Sequence, residues 1–168
     1  MVQESDLGLV RRAGAGAGVF CEWLNIPVVS IVTHAEYRQG GAGSEMIHTG
    51  PNGEDLGTIS QHTRIDYLSL AVLAKVRTSG ALARPYLSAG LRRDRMVSIG
   101  DGLHRELYKL FEKDVTGASF GAGIEVSLVR SYTTLVEARY DIDLTDPYHG
   151  EFLTVRNNSM SLWLGVGF

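Results

Sequence analysis

Apolar residues at every second position are the feature that most limits what this chain can fold into. Between Gly117 and Leu128, a face of alanine, phenylalanine, isoleucine, valine and leucine alternates strictly with a face of glycine, serine and glutamate. A period of two residues is that of a β-strand with one apolar face. The alternation predicts seven strands, over Ala13–Leu24, Val28–Gln39, Arg64–Arg77, Pro85–Leu91, Gly117–Leu128, Thr134–Leu144 and Asn157–Phe168.

The predicted connections alternate between short and long. Short links at one end of the strands and long polar loops at the other are typical of an up-and-down barrel in an outer membrane. We therefore predict an all-β fold, an antiparallel up-and-down transmembrane β-barrel of the eight-stranded type, over residues 13–168. The short links are 25–27, 78–84 and 130–133, and the long loops are 40–61, 94–115 and about 145–155.

The polar face of these strands is rich in glycine and serine, and the chain holds 20 glycines in 168 residues. A small soluble barrel fills its interior with apolar side chains, whereas glycine and serine suit a crowded polar interior. We therefore expect the apolar face to contact lipid, through Val72, Leu87, Phe120, Val126, Leu162, Leu164 and Val166. The charged residues of the other face are expected to form a polar network in the lumen, made of Glu22, Glu36, Arg38, Arg92, Glu125, Glu137 and Arg139. Within it, a three-residue turn would set Glu125 directly across from Arg139.

Several short motifs follow one another in a fixed order along residues 13–168. They are Gly18-x-Phe20-x-Glu22, His34-Ala-Glu36-Tyr37, Asp66-Tyr67-Leu68-Ser-Leu70, Arg84-Pro85-Tyr86-Leu87-x-x-Gly90, the run Gly117–Glu125, Glu137-Ala-Arg139-Tyr140 and the closing segment Asn157–Phe168. In order and spacing they resemble the outer-membrane β-barrel domain of the PorT type. The resemblance implies an eight-stranded antiparallel barrel in a Gram-negative outer membrane, with no established enzymatic activity.

The last strand ends on an alternating apolar series, Leu164, Val166 and the terminal Phe168. This series looks like the signal by which outer-membrane barrels are passed to their insertion machinery. The expected partners are therefore that machinery and the lipid bilayer of the outer membrane, and the sequence does not name an extracellular partner.

Residues 1–12 are expected to be an irregular segment, the end of the first extracellular loop. Bacterial barrels generally have an even number of strands and keep both termini in the periplasm. Counted backward from Phe168, Ala13–Leu24 runs in the wrong direction to be a first strand. We therefore expect the first strand to be missing, which leaves an unclosed seam between Ala13–Leu24 and Asn157–Phe168.

No catalytic residue, cofactor or metal site is predicted. The net charge of −3 argues against a nucleic-acid partner. The one cysteine excludes a multi-cysteine zinc site, and the histidines show no metal-ligand spacing. The acidic stretch Asp141-Ile-Asp143-Leu-Thr-Asp146 is expected to be a solvated loop mouth and not a calcium site.

The predicted function is that of a non-enzymatic outer-membrane barrel with a side-chain-filled lumen. Its structural, adhesive or envelope-assembly role would be carried by the extracellular loops. One alternative is a soluble barrel that binds a small ligand, whose lumen would be apolar. The other is an outer-membrane lipid-modifying enzyme, although no serine here lies in a nucleophile elbow.

Overall fold

The computed structural model describes residues 9–11, 13–24, 26–49, 55–80, 82–100, 112–129, 132–145, 148–149, 154–155 and 158–167. The regular structure of these residues is entirely β. In these ranges no helix has the length and apolar character needed to cross a membrane. The strands are β1 Leu9–Arg11, β2 Gly16–Trp23, β3 Val29–Thr49, β4 Asp55–Arg77, β5 Ala83–Ile99, β6 Asp114–Val129, β7 Tyr132–Asp143, β8 Tyr148–His149, β9 Thr154–Val155 and β10 Asn158–Gly167.

One antiparallel sheet contains every strand except β8 and β9, which pair with each other. The short strands β1 and β2 lie along the same edge of β3, so the sheet has seven strand positions. Their order is β1/β2, β3, β4, β5, β6, β7 and β10, and each strand pairs with its neighbours in sequence. The all-β, antiparallel, up-and-down organisation predicted from the alternation is therefore confirmed.

The sheet is curled into a half-barrel, because side chains on one face meet across several strands. Arg139 of β7 pairs with Glu36 of β3. The residues directly opposite one another can be followed from Arg139 through β6, β5 and β4 to β3. This path ends at Ser30, six residues before Glu36. The pairing of Asp141 likewise reaches β3 six residues before its ion-pair partner Arg38. Six residues over four strand spacings correspond to a strand tilt of about 45°, at the upper end of what barrels show.

Two of the predicted loops are shorter than expected. Most of 40–61 continues β3 and β4 as a long hairpin, and β5 extends through 94–99 before the link to β6. The alternation gave no signal there because the residues that extend these strands are largely polar. The links 24–28, 78–82 and 130–131 all lie at one end of the sheet, the short-link end, and the long-hairpin end is opposite it.

The N-terminal segment contains one short strand that the sequence did not predict. Within residues 1–12, Leu9–Arg11 form β1 and pair with Ala42–Ser44 of β3. Residues 1–8 and 12 lie outside the described part of the chain. Among the described residues, β2 and β10 pair only with β3 and β7 respectively, so the sheet has two open edges.

The interior of the curl is more charged than apolar. Of the described residues, eleven ionisable side chains are buried, against seven apolar ones, and 26 large apolar side chains are exposed. The buried apolar group includes Val32, Leu73 and Tyr86. This arrangement is the inverse of a soluble domain, in which charged groups are almost never fully buried unless paired.

Candidate functional site

The seven residues predicted for a lumen network all lie on the inner face of the curled sheet. Glu36, Arg92, Glu125, Glu137 and Arg139 are buried, whereas Glu22 and Arg38 are half-buried. Successive side chains of a strand point to opposite faces of the sheet. Each of the seven therefore shares the inner face with the residues of its strand two before and two after it. They do not form one continuous network of their own, because the structure divides them into three clusters and adds partners to each.

The first cluster lies at the short-link end and consists of Glu22, Lys75, Arg77 and Glu125. Lys75 is the bridge, since its ammonium group contacts Glu125 and lies 3.1 Å from a carboxylate oxygen of Glu22. Arg77 Nη1 lies 2.8 Å from the other oxygen of Glu22. Arg84, which is half-buried, adds a third cation, with its Nε 3.5 Å from Glu125. Both carboxylates are therefore paired, as buried charges require. The Lys75 ammonium also lies 4.6 Å from the centre of the Tyr86 ring.

The central cluster places one guanidinium between two carboxylates. Arg139 contacts Glu36 across the curl, and its Nε lies 2.7 Å from Glu137 on its own strand. His34 Nδ1 lies 3.3 Å from Glu36, and the ring of His34 stacks on Phe20. These contacts tie β3 to β7 through the interior and fix the arginine in one position.

The third cluster lies at the long-hairpin end and consists of Arg38, Arg92, Asp94, Asp141 and Asp143. Arg38 contacts Asp94 and lies 2.9 Å from Asp141, while Arg92 contacts Asp94 and Asp143. Asp141 and Asp143 are therefore buried ion-pair partners, and the expectation of a solvated loop mouth is wrong for both. Asp141 also accepts a hydrogen bond of 2.5 Å from the hydroxyl of Ser119. Asp146, the last carboxylate of that stretch, lies outside the described residues.

The predicted pair Glu125–Arg139 is wrong. Glu125 lies opposite Leu135 in the β6–β7 ladder, and Arg139 lies opposite Gly121. β6 continues to Val129 and β7 begins at Tyr132, and a bulge between Ser127 and Val129 shifts the register. The carboxylate of Glu125 instead contacts Lys75.

Glycines on the inner face make room for these charged side chains. A Cβ on Gly117 would lie 2.9 Å from Nε of Arg92, and a Cβ on Gly121 would lie 2.9 Å from Cδ of Glu137. The interior pocket lined by Phe20, His34 and Leu73 measures about 10 Å³, which is room for about one water. At this level the interior is filled by its own side chains.

The seven residues predicted to contact lipid all lie on the outer face. Six of them are exposed and Val126 is half-buried. On β4 the outward side chains Leu68, Leu70, Val72, Ala74 and Val76 are all uncharged. They span nine residues, which is the length that a tilted strand needs to cross a bilayer. In β10, Leu162 and Leu164 are 73% and 75% exposed. Phe168, the last residue of the predicted insertion signal, lies outside the described residues.

Both ends of this outer apolar band carry aromatic side chains. Trp23 and Tyr132 are exposed at the short-link end, and Tyr37 and Tyr140 at the long-hairpin end. Trp23 Nε1 donates a hydrogen bond of 3.0 Å to the hydroxyl of Thr33. Aromatic rings with one polar atom prefer the boundary between headgroups and hydrocarbon.

The sequence reasoning missed several members of the three clusters. Lys75 and Arg77 lie on the inner face of β4, which mixes them with Ala71 and Leu73. Lys75 and Arg77 follow Leu73 by two and four residues. The alternation itself therefore predicts that they share its inward face. Asp94 had been placed in a loop, although it continues the inward series of β5 after Arg92.

No protein family model matches this sequence, and no curated protein matches it either. In the described part of the chain, no group of three or more histidine, cysteine, aspartate or glutamate side chains is placed to hold a metal ion.

Proposed function

We propose that this chain is an outer-membrane β-barrel of the PorT type, non-enzymatic, with a lumen plugged by ion pairs. The observation that carries the proposal is the inverted distribution of polarity: paired charges inside, and an uncharged apolar band outside. Lipid solvates such an outer face, whereas water would have to solvate 26 exposed large apolar side chains. The role of the molecule would then be structural, adhesive or in envelope assembly, through the connections at the long-hairpin end.

The soluble ligand-binding alternative is less consistent with this geometry. It requires an apolar lumen with room for a ligand. The inner face instead carries three clusters of ion pairs, and the interior pocket measures about 10 Å³.

Closure into an eight-stranded barrel is part of the proposal. Neighbouring strands lie about 4.8 Å apart, so one inserted strand separates its two neighbours by about twice that distance. Side chains, and not backbone hydrogen bonds, span the gap between the open edges: Trp163 of β10 reaches Gly16 of β2, and Phe20 of β2 reaches Gly167 of β10. A gap of that kind suits one further strand, which would pair with both edges and satisfy their backbone groups.

Two measurements test the membrane assignment. The protein should sediment with outer membranes, resist extraction by salt or alkali, and dissolve only in detergent. On gels without boiling, the folded form should migrate differently from the boiled form, because closed barrels resist dodecyl sulfate. A protein that stays in the aqueous fraction, with one mobility before and after boiling, would overturn the proposal.

A further inference from the structure

A groove on the outer face joins two leucines to two arginines. It is lined by Leu68 and Leu70 of β4, Arg93 and Arg95 of β5, and Asp114 of β6, and its volume is about 300 Å³. Leu68 lies opposite Arg95, and Leu70 lies opposite Arg93. Directly opposed residues on one face of an antiparallel pair are in contact range, so the leucines and arginines form one continuous surface.

This groove carries an excess of positive charge. The Arg93 side chain is 69% exposed, and its Nε lies 3.4 Å from the carboxylate of Asp114. Arg95 lies opposite the same aspartate in the β5–β6 ladder. The charged residues that line the groove are thus two arginines and one aspartate. Guanidinium groups bind phosphate through paired hydrogen bonds, which favours a phosphate group as the ligand.

The groove opens directly onto the outer apolar band. One step toward the short-link end, Val72 of β4 lies opposite Leu91 of β5, and both are exposed. On β5 the arginines are the first outward charges beyond Leu91. A molecule that fits this surface has a phosphate at one end and a hydrocarbon chain that continues from it.

We propose that the groove binds a lipid whose headgroup carries a phosphate group. The phosphate contacts Arg93 and Arg95, and an acyl chain lies along Leu68 and Leu70. This inference rests on the proposed barrel function, since a bilayer is what holds acyl chains against the outer face. In an outer membrane the long-hairpin end faces outward, so the groove would lie in the outer leaflet.

The test compares three probes on the full chain, folded in an uncharged maltoside detergent. The probes are phosphatidic acid, diacylglycerol with the same acyl chains, and inorganic phosphate, and native mass spectrometry counts the molecules that each protein retains. Phosphatidic acid should be retained at one per protein, at least about tenfold above either other probe, because it alone supplies both chemistries.

Variants locate the binding. Arg93→Gln combined with Arg95→Gln should lower the retention of phosphatidic acid about tenfold, and Asp114→Asn should raise it, since it removes the competing carboxylate. Lys113→Gln is the matched control, because Lys113 is an exposed cation at the same end that does not line the groove. It should leave the retention unchanged.

Two results would overturn the inference alone: equal retention of phosphatidic acid and diacylglycerol, or a loss as large in Lys113→Gln as in the double arginine variant. The gel mobility of the same samples before and after boiling keeps the two proposals apart. A wild-type protein that needs no detergent overturns the barrel and the groove together. A heat-modifiable barrel in which the arginine substitutions change nothing overturns only the groove.

Discussion

The carboxylate of Glu125 on β6 contacts the ammonium group of Lys75 on β4, two strands away, while the residue directly opposite it on β7 is Leu135. On its other side Glu125 lies opposite Arg84 of β5, whose Nε is 3.5 Å from the carboxylate. Charges in this molecule therefore meet across the interior of the curl as well as between neighbouring strands. The same holds for Arg139 with Glu36, which joins β7 to β3. Each of these two pairs links strands that share no backbone hydrogen bonds.

Breaking the Lys75–Glu125 pair should destabilise the folded sheet strongly. Lys75→Met or Glu125→Gln alone removes one charge from a buried cluster, at a cost of up to about 3–5 kcal/mol. The remaining partners, Glu22 for Lys75 and Arg77 and Arg84 for Glu125, offset part of that cost. The double variant should cost less than the sum of the two, by a coupling energy of about 1–3 kcal/mol. Equilibrium unfolding by urea in lipid vesicles measures all three.

The control is a double-mutant cycle of Glu125→Gln and Arg139→Met. The sequence predicts that these two residues lie opposite each other. It should give a coupling energy within about 0.5 kcal/mol of zero. A coupling as large as that of Lys75 with Glu125 would contradict the register of β6 and β7.

The strands and their facing were predictable because a bilayer-like outer face and a polar inner face impose a period of two on every strand. Facing needs only the parity of a residue number, and parity held from Ala118 to Val126 and from Met160 to Val166. Strand ends were not predictable in the same way. Beyond the outer apolar band the hairpin of β3 and β4 is largely polar, so the period disappears although the pairing continues.

Ion-pair partners could not be derived from the sequence, because they depend on register and curl. The register of β6 and β7 depends on a bulge after Ser127, which no local sequence signal marks. The curl then brings Arg38 to Asp141 through a stagger of six residues. Both quantities are set by the packing of the whole sheet.

An arginine on the outer face should be costly in proportion to its depth in the bilayer. Val72 lies at the middle of the charge-free outward series of β4, and Leu144 is exposed just beyond the end of β7. Val72→Arg should reduce the free energy of unfolding in lipid by about 2–4 kcal/mol, and Leu144→Arg by at most about 1 kcal/mol. Equal costs at the two positions would contradict the proposed orientation in the membrane.

A methyl group added at Gly121 should disturb the interior. Its Cβ would meet the Glu137 carboxylate and the hydroxyl of Ser88, so Gly121→Ala should cost about 1–3 kcal/mol of unfolding free energy. Gly40→Ala is the control, because its Cβ would meet only ordinary contacts with the Tyr67 ring, at 3.4 Å. Urea unfolding should leave this variant within about 1 kcal/mol of wild type, and a penalty there as large as at Gly121 would refute steric crowding as the cause.

Cys21, the one cysteine of the sequence, reports directly on the outer apolar band. It is exposed on the outer face of β2, opposite Thr33, which in turn lies opposite Val72. Because the strands are tilted, Cys21 lies within the band but closer to its short-link end, two residues before Trp23. In lipid vesicles its thiol should resist a charged, membrane-impermeant maleimide, because the reagent does not enter hydrocarbon, and it should react fully once urea unfolds the protein.

The control for this labelling moves the thiol out of the band. Thr145 is exposed beyond β7 at the long-hairpin end, so Cys21→Ser combined with Thr145→Cys should react with the same maleimide in the folded protein. Labelling is counted by mass, with the vesicles intact. If Cys21 in the folded protein reacts as fast as Thr145→Cys, its face meets water and the outer face is not immersed in lipid. A membrane-spanning barrel requires that Cys21 is protected while the thiol at position 145 reacts. Because Cys21 is exposed in the fold, burial by the protein does not explain its protection.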